Sequence, residues 1–150
     1  MCILSWVMDM NNQTLLCELL QTAQNSQVVI RSILGALMCS SLRITMQTHL
    51  KEYDMIETEA LAIAQQRGWE LMSLNPLRCF LTDRRIRFRI SRRNTDSRIA
   101  EIMIHNHTKA MIRSLKNLHQ YNGQDTGICI LSQKLLDCET AHIRQLQRYL

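Results

Sequence analysis

Apolar residues recur at three- and four-residue spacing through most of the chain, the pattern of helices that each turn one face to a core. From Asn11 or Asn12, either able to cap a helix, to about Met38, the stripe is Leu15, Leu19, Ala23, Ser26, Ile30, Ile33 and Leu37. Cys39-Ser40-Ser41 interrupts it and supplies a Ser cap for a second helix to Arg67. There the stripe reads Leu42, Met46, His49, Leu50, Tyr53, Ile56, Ala60 and Ala64, and Gly68 stands where a left-handed terminal residue belongs. Two long helices joined by so few residues must be antiparallel neighbours.

A linker with the chain's only proline follows. Asn75-Pro76 reads as a cap plus first helical residue, opening a shorter helix to about Arg92. Within it, Arg85-Ile-Arg-Phe-Arg-Ile-Ser91 alternates with period two and also reads as a strand. Thr95 or Asp96 caps a long helix to about Tyr121, with Ile99, Ile102, Met103, Asn106, Ala110 and Arg113 along its inner side. Asn122-Gly123 ends it. Asp125 caps the last helix, whose stripe is Leu131, Leu135, Cys138, His142, Leu146 and Tyr149.

A helix hairpin, a long crossover and a second hairpin predict an all-α fold. The expected architecture is a ferritin-like four-helix bundle with a short extra helix in the crossover between the second and third long helices. Residues 11–150 form the single bundle domain, and residues 1–10 are a disordered or loosely docked tail. Translation beginning at Met8 or Met10 is the alternative for that start.

Composition agrees with a helical core of Leu, Ile and Met: 46% of residues are hydrophobic, only 5% are aromatic, and nine are Met. Six cysteines show no CxxC and no clustering, so reduced thiols and a cytoplasmic location are expected. No apolar run approaches the ~18 residues of a membrane span.

Net charge is +5, and seven arginines lie within residues 84–98. Of these, Arg84, Arg85, Arg87, Arg89, Arg92 and Arg93 are candidates to contact an anion or an acidic protein partner. Nucleic acid is disfavoured, because no reading motif and no aromatic ladder accompanies them. A solvated crossover is the plainest reading of that density. On the first helix, Leu16, Leu20 and Leu34 widen the apolar arc, which suits a homodimer contact.

The helix patterns also carry a resemblance. Arg98-Ile-Ala-Glu-Ile-Met-Ile104, Ser114-Leu-Lys-Asn-Leu-His-Gln-Tyr-Asn-Gly123 and Lys134-Leu-Leu-Asp-Cys-Glu-Thr-Ala-His-Ile143 resemble a family of small ferritin-like bundles from anaerobic Gram-positive gut bacteria. Leu50-Lys-Glu-Tyr53 followed by Glu59-Ala60 is similar to the same family, and the likeness covers roughly residues 12–150. It implies the fold, and no established reaction comes with it.

Glu139-Thr-Ala-His142 places a carboxylate and an imidazole on the inner face of the last helix. A ferritin-like di-metal site needs two such Glu-x-x-His pairs plus a Glu from each of two other helices. On the second helix Glu57 and His49 flank the stripe with Tyr53 between them, but the position three after Glu57 is Ala60. The first helix offers Ala23, Ser26 and Ile30 at mid-height, and on the third long helix Glu101 and His105 point outward. His105 and His107 fall on different faces, and His119 is outward.

The expectation is therefore a buried polar layer of Glu139, His142, Glu57, Tyr53 and His49, in a non-enzymatic bundle with a structural or interaction role and no cofactor. The alternative is a divergent site for iron or manganese on Glu139, His142, Glu57 and His49, with redox or metal-storage activity. Cys138 and His142 share a face as well, without a visible third member for nucleophilic chemistry.

Overall fold

The computed structural model describes residues 11–150, so the expected tail over 1–10 lies outside the described residues. Five helices follow in order: α1 (Asn12–Leu34), α2 (Ser40–Gln66), α3 (Pro76–Arg92), α4 (Asp96–Gln120) and α5 (Thr126–Leu146). A single 3₁₀ turn, Gln147–Tyr149, closes the chain.

Each helix opens on a side chain that accepts from an otherwise unpaired backbone N–H. Asn11, Asn75, Thr95 and Asp125 do so for α1, α3, α4 and α5. For α2 the cap is Cys39, whose sulfur accepts from the amide of Leu42, rather than the expected serine. α1 stops at Leu34, short of Met38, and Leu37 is 81% exposed instead of continuing the stripe. Gly35 weakens the helix there, and the Arg43 guanidinium takes over the carbonyls of Leu34 and Ala36. Gly68 has φ 67°, the left-handed conformation its position required.

Cross-chain bonds fix the directions. Arg43 at the start of α2 reaches the end of α1, and Gln27 at mid-α1 meets Glu57 in α2, so these two run antiparallel. Tyr149 bonds Ser41, while Lys134 pairs with Glu59 and Arg67 with Asp125, so α5 is antiparallel to α2. Tyr121 at the end of α4 meets Asn12 at the start of α1, and Asp96 at its start meets Cys39. In sequence order the four long helices run up, down, down, up. The chain must therefore cross the length of the molecule between α2 and α4. It does so along α1, where Gln21 and Gln24 hold Met72 and Leu74, and then through α3.

α3 is a helix throughout, which overturns the strand reading of 85–91. Thr82, Ile86 and Ile90, at four-residue spacing, are its buried residues, while Phe88 is 59% exposed. α3 lies on α1 and hardly touches α4. The burial also corrects the reading of α1: Leu16 and Leu20 are fully buried within the molecule and Leu34 is half-buried, so they offer no homodimer face. The exposed large apolar side chains lie elsewhere, among them Leu77, Phe80, Leu81 and Phe88 on α3. No helix among the described residues is long and apolar enough to cross a membrane.

Candidate metal centre

At mid-height the core stops being apolar. His49 and Tyr53 from α2, His107 from α4, and Glu139 and His142 from α5 are all fully buried at one level. Tyr53 and His142 sit on the stripes expected for them. Glu139 is one residue beyond Cys138, which is only half-buried.

The hydrogen bonds define the protonation pattern. The Tyr53 hydroxyl donates to Glu139 Oε2 at 2.6 Å, and the same oxygen lies 2.9 Å from His107 Nδ1. When Glu139 is a carboxylate, above about pH 8, that nitrogen carries the proton and Nε2 of His107 is a bare lone pair. His49 Nε2 lies 2.7 Å from the Gln145 side-chain oxygen, a pure acceptor, so His49 Nδ1 is a lone pair as well. His142 Nε2 bonds the Glu52 carboxylate and lies 3.3 Å from the Cys138 sulfur, and its Nδ1 faces the Tyr53 hydroxyl at 3.2 Å.

Three buried polar atoms of this layer have no hydrogen-bond partner among the described residues: His49 Nδ1, His107 Nε2 and Glu139 Oε1. Leaving such atoms unpaired costs roughly 1–3 kcal/mol each. One nitrogen from each of His49, His107 and His142 lies within 4.8 Å of the other two. A tetrahedral ion with bonds near 2.1 Å would separate its ligands by roughly 3.4 Å, so the three nitrogens would close in while the stacked His49 and His142 rings splay apart. A second triad, Glu52, Cys138 and His142, meets the same distance limit and shares His142 with the first. Its Glu52 side chain is 44% exposed, which connects the centre to the surface.

Electrostatics keep the rings neutral. Burial, reinforced by the neighbouring imidazole of His142, lowers His49 to about 3, and burial alone lowers His107 to about 3. Burial and His107 lower His142 to about 4, although the Glu52 carboxylate opposes them. The His142–Glu52 contact is thus a neutral N–H donated to a carboxylate, not an ion pair. Burial raises Glu52, but its bond to His142 outweighs this and holds the group below the usual carboxylate range. The His49 and His142 rings stack with centroids 3.5 Å apart and planes 15° from parallel, an arrangement two imidazolium ions would not tolerate. Neutral imidazole is the form that binds metals. Burial raises Glu139 to about 8 despite its bond from Tyr53, and it pushes the Cys138 thiol well up.

No family model, curated protein or solved structure matches the chain.

Of the expected layer, His49, Tyr53, Glu139 and His142 are brought together. Glu57 is not: it is half-buried, and its carboxylate accepts from Gln27 at 2.6 Å, a bond to α1 away from the imidazoles. Two members were missed. His107 was placed off the inner face, yet it continues the Ile99–Met103 row at four-residue spacing and is fully exposure-free, while Asn106 is only half-buried. Glu52 lies outside the Glu57-to-Ala60 spacing that a di-metal motif would use. The signal lay earlier, in His49-Leu-Lys-Glu52, which on an antiparallel helix mirrors Glu139-Thr-Ala-His142. The expected outward positions of Glu101 and His105 agree with their exposure.

The donor set suits one ion rather than two. Glu139 is the one fully buried carboxylate among the described residues, whereas a di-metal bundle uses four. Three imidazoles favour zinc, copper, nickel or iron, and manganese, which prefers oxygen ligands, fits poorly.

Proposed function

We propose that the protein is a metal-binding helical bundle of ferritin-like plan that holds one transition-metal ion among His49, His107 and His142. The observation that carries this reading is the convergence of three buried, neutral imidazoles from three helices, within 4.8 Å of one another. The up-down-down-up order with one long crossover supports the ferritin-like plan. Glu139 and Gln145 would orient His107 and His49 from outside the ligand set, as carboxylates and amides do around bound imidazoles. Such an ion supplies Lewis acidity or, if iron or copper, electron transfer. The chain's own part is to fix the tautomers, exclude water and let Glu52 connect the centre to solvent.

The test is elemental analysis of protein purified without chelators, followed by titration of the stripped protein with cobalt(II) under visible absorption. One ion per chain and a saturable ligand-field spectrum are expected. A folded protein that takes up no zinc, cobalt, copper or iron above background refutes the reading. Glu57→Ala is expected to leave affinity within about twofold, because Glu57 engages Gln27 instead of the imidazoles. A loss of binding in that variant would mean that the ligand set has been assigned to the wrong level of the bundle.

The same layer sets helix register, since each of α2, α4 and α5 supplies a group that only the others can satisfy. A structural role without chemistry is therefore compatible with the ion, and no reaction is assigned.

A further inference from the structure

A cleft of about 510 Å³ lies between α1, α3 and α4, walled on α4 by the row next to the one that carries His107. Its two long walls have the same periodicity. α3 contributes positions 78, 81, 82, 85, 86 and 89, and α4 contributes 102, 105, 106, 109, 110 and 113. On α3 these include Arg78, Arg85 and Arg89, and on α4 they include Lys109 and Arg113. Two helices therefore present cationic rows to one another, and no carboxylate lines the cleft. Among the described residues Arg78, Arg85, Arg89 and Lys109 make no ion pair, and only Arg113 has an acid nearby, Glu18 at 3.7 Å.

Three other arginines of α3 are otherwise engaged. Arg84 lies over the Phe80 ring, Arg92 over Phe88, and Arg87 pairs with Asp83. So these α3 arginines divide by face: Arg84 and Arg92 cover exposed aromatics and Arg87 pairs with Asp83, while Arg78, Arg85 and Arg89 face the cleft without an ion pair among the described residues. Asn106 on the α4 wall adds a donor, since its Nδ2 is buried without a partner. Facing cationic rows repel, and a bound polyanion removes that repulsion.

The geometry points to a polyphosphate chain as the occupant of this cleft. Guanidinium forks bind phosphate oxygens in pairs, and Arg78 to Arg89 spans roughly 16 Å at 1.5 Å per residue, long enough for several successive phosphates. Apart from the His105 imidazole no ring lines the cleft, and no Phe, Tyr or Trp offers a broad platform for a base. Recognition is of the phosphate chain, whether it comes from a nucleoside triphosphate or from an inorganic polyphosphate.

Calorimetric titration of the intact protein with inorganic tripolyphosphate and, separately, with ATP tests this at low and physiological salt. Saturable binding of tripolyphosphate is expected, weakened at least tenfold in Arg85→Gln/Arg89→Gln. Arg84→Gln/Arg92→Gln removes the same charge from the other faces of α3 and is expected to change affinity less than threefold. Equal affinity for ATP and tripolyphosphate marks the chain alone as the ligand; tighter ATP marks a nucleotide as its source. Equal losses in both double variants would reduce the effect to net charge and overturn the proposal. So would absence of saturable binding, or tighter binding of an arbitrary DNA duplex or an acidic peptide than of tripolyphosphate. Circular dichroism of both variants controls for folding.

Discussion

Replacing His107 by alanine is expected to weaken ion binding by more than a hundredfold. Changing groups that merely orient a ligand already costs 10- to 100-fold, and His107 is one of only three imidazoles here. The effect has a thermal counterpart. An ion at a hundred times its dissociation constant stabilises the native state by ~2.7 kcal/mol, which in a chain of this size raises the midpoint by roughly 5–10 °C. His107→Ala should show less than about a fifth of that rise. The substitution also leaves Glu139 and Tyr53 short of a partner, so its own midpoint is expected to drop. Comparing the ion-induced shift, not the absolute midpoint, separates the two effects. Should a helical His107→Ala protein keep the full shift, His107 is not a ligand.

In chelator-treated protein, stability is expected to peak near pH ~6.5 and to fall on both sides. On the acid side, His49, His107 and His142 are held at about 3, 3 and 4, below the ordinary 6.5. The unfolded chain then takes up protons that the folded one refuses, so stability present above pH 6.5 is lost as pH falls towards those values. Each ring contributes a slope of up to ~1.4 kcal/mol per pH unit. Glu52, held below its usual range, adds to the same limb. Glu139 works in the opposite direction. Raised from 4.5 to about 8, it favours the folded state fully below 4.5 and loses that contribution as pH climbs to about 8.

Below pH 6.5 the three rings outweigh the one carboxyl; above it, only Glu139 still titrates. Tyr53, raised further by burial and by Glu139, and Cys138, raised by burial and Glu52, stay protonated across this window. Urea unfolding at pH 5, 6.5 and 8.5 measures both limbs. Glu139→Gln should flatten the alkaline limb and spare the acid one. An unchanged decline between pH 6.5 and 8.5 in that variant would show that Glu139 does not carry it.

The helices and most of their caps could be read from the sequence because those signals are local. Asn75-Pro76, Thr95, Asp125 and Gly68 act through neighbours within a few residues, and the stripe of α2 needed only a period. What failed depended on α3. The wide apolar arc of α1 is interior rather than a dimer face, since the crossover, with α3, runs along α1. α4 likewise has two working sides: Ile99, Met103 and His107 turn to the bundle, while Ile102, Asn106 and Ala110 line the cleft. Periodicity sees both rows and cannot rank them, so the sequence alone puts Asn106 rather than His107 on the inner face. The centre was half legible for the same reason. Glu139 and His142 announce themselves on one helix, but the mates that complete the set come from α2 and α4, and only the packing selects them.

His107 and Asn106 are consecutive residues of α4, about 100° apart around its axis, one turned to the buried imidazoles and the other to the cleft. Neither side of this rod can be re-aimed privately. A substitution that twists it by even part of a residue drags imidazole and amide together, so natural variation along 99–113 should be confined to changes that preserve its roll. Residues such as Lys51 and Asp54, exposed on α2, stand free of that constraint and should drift first.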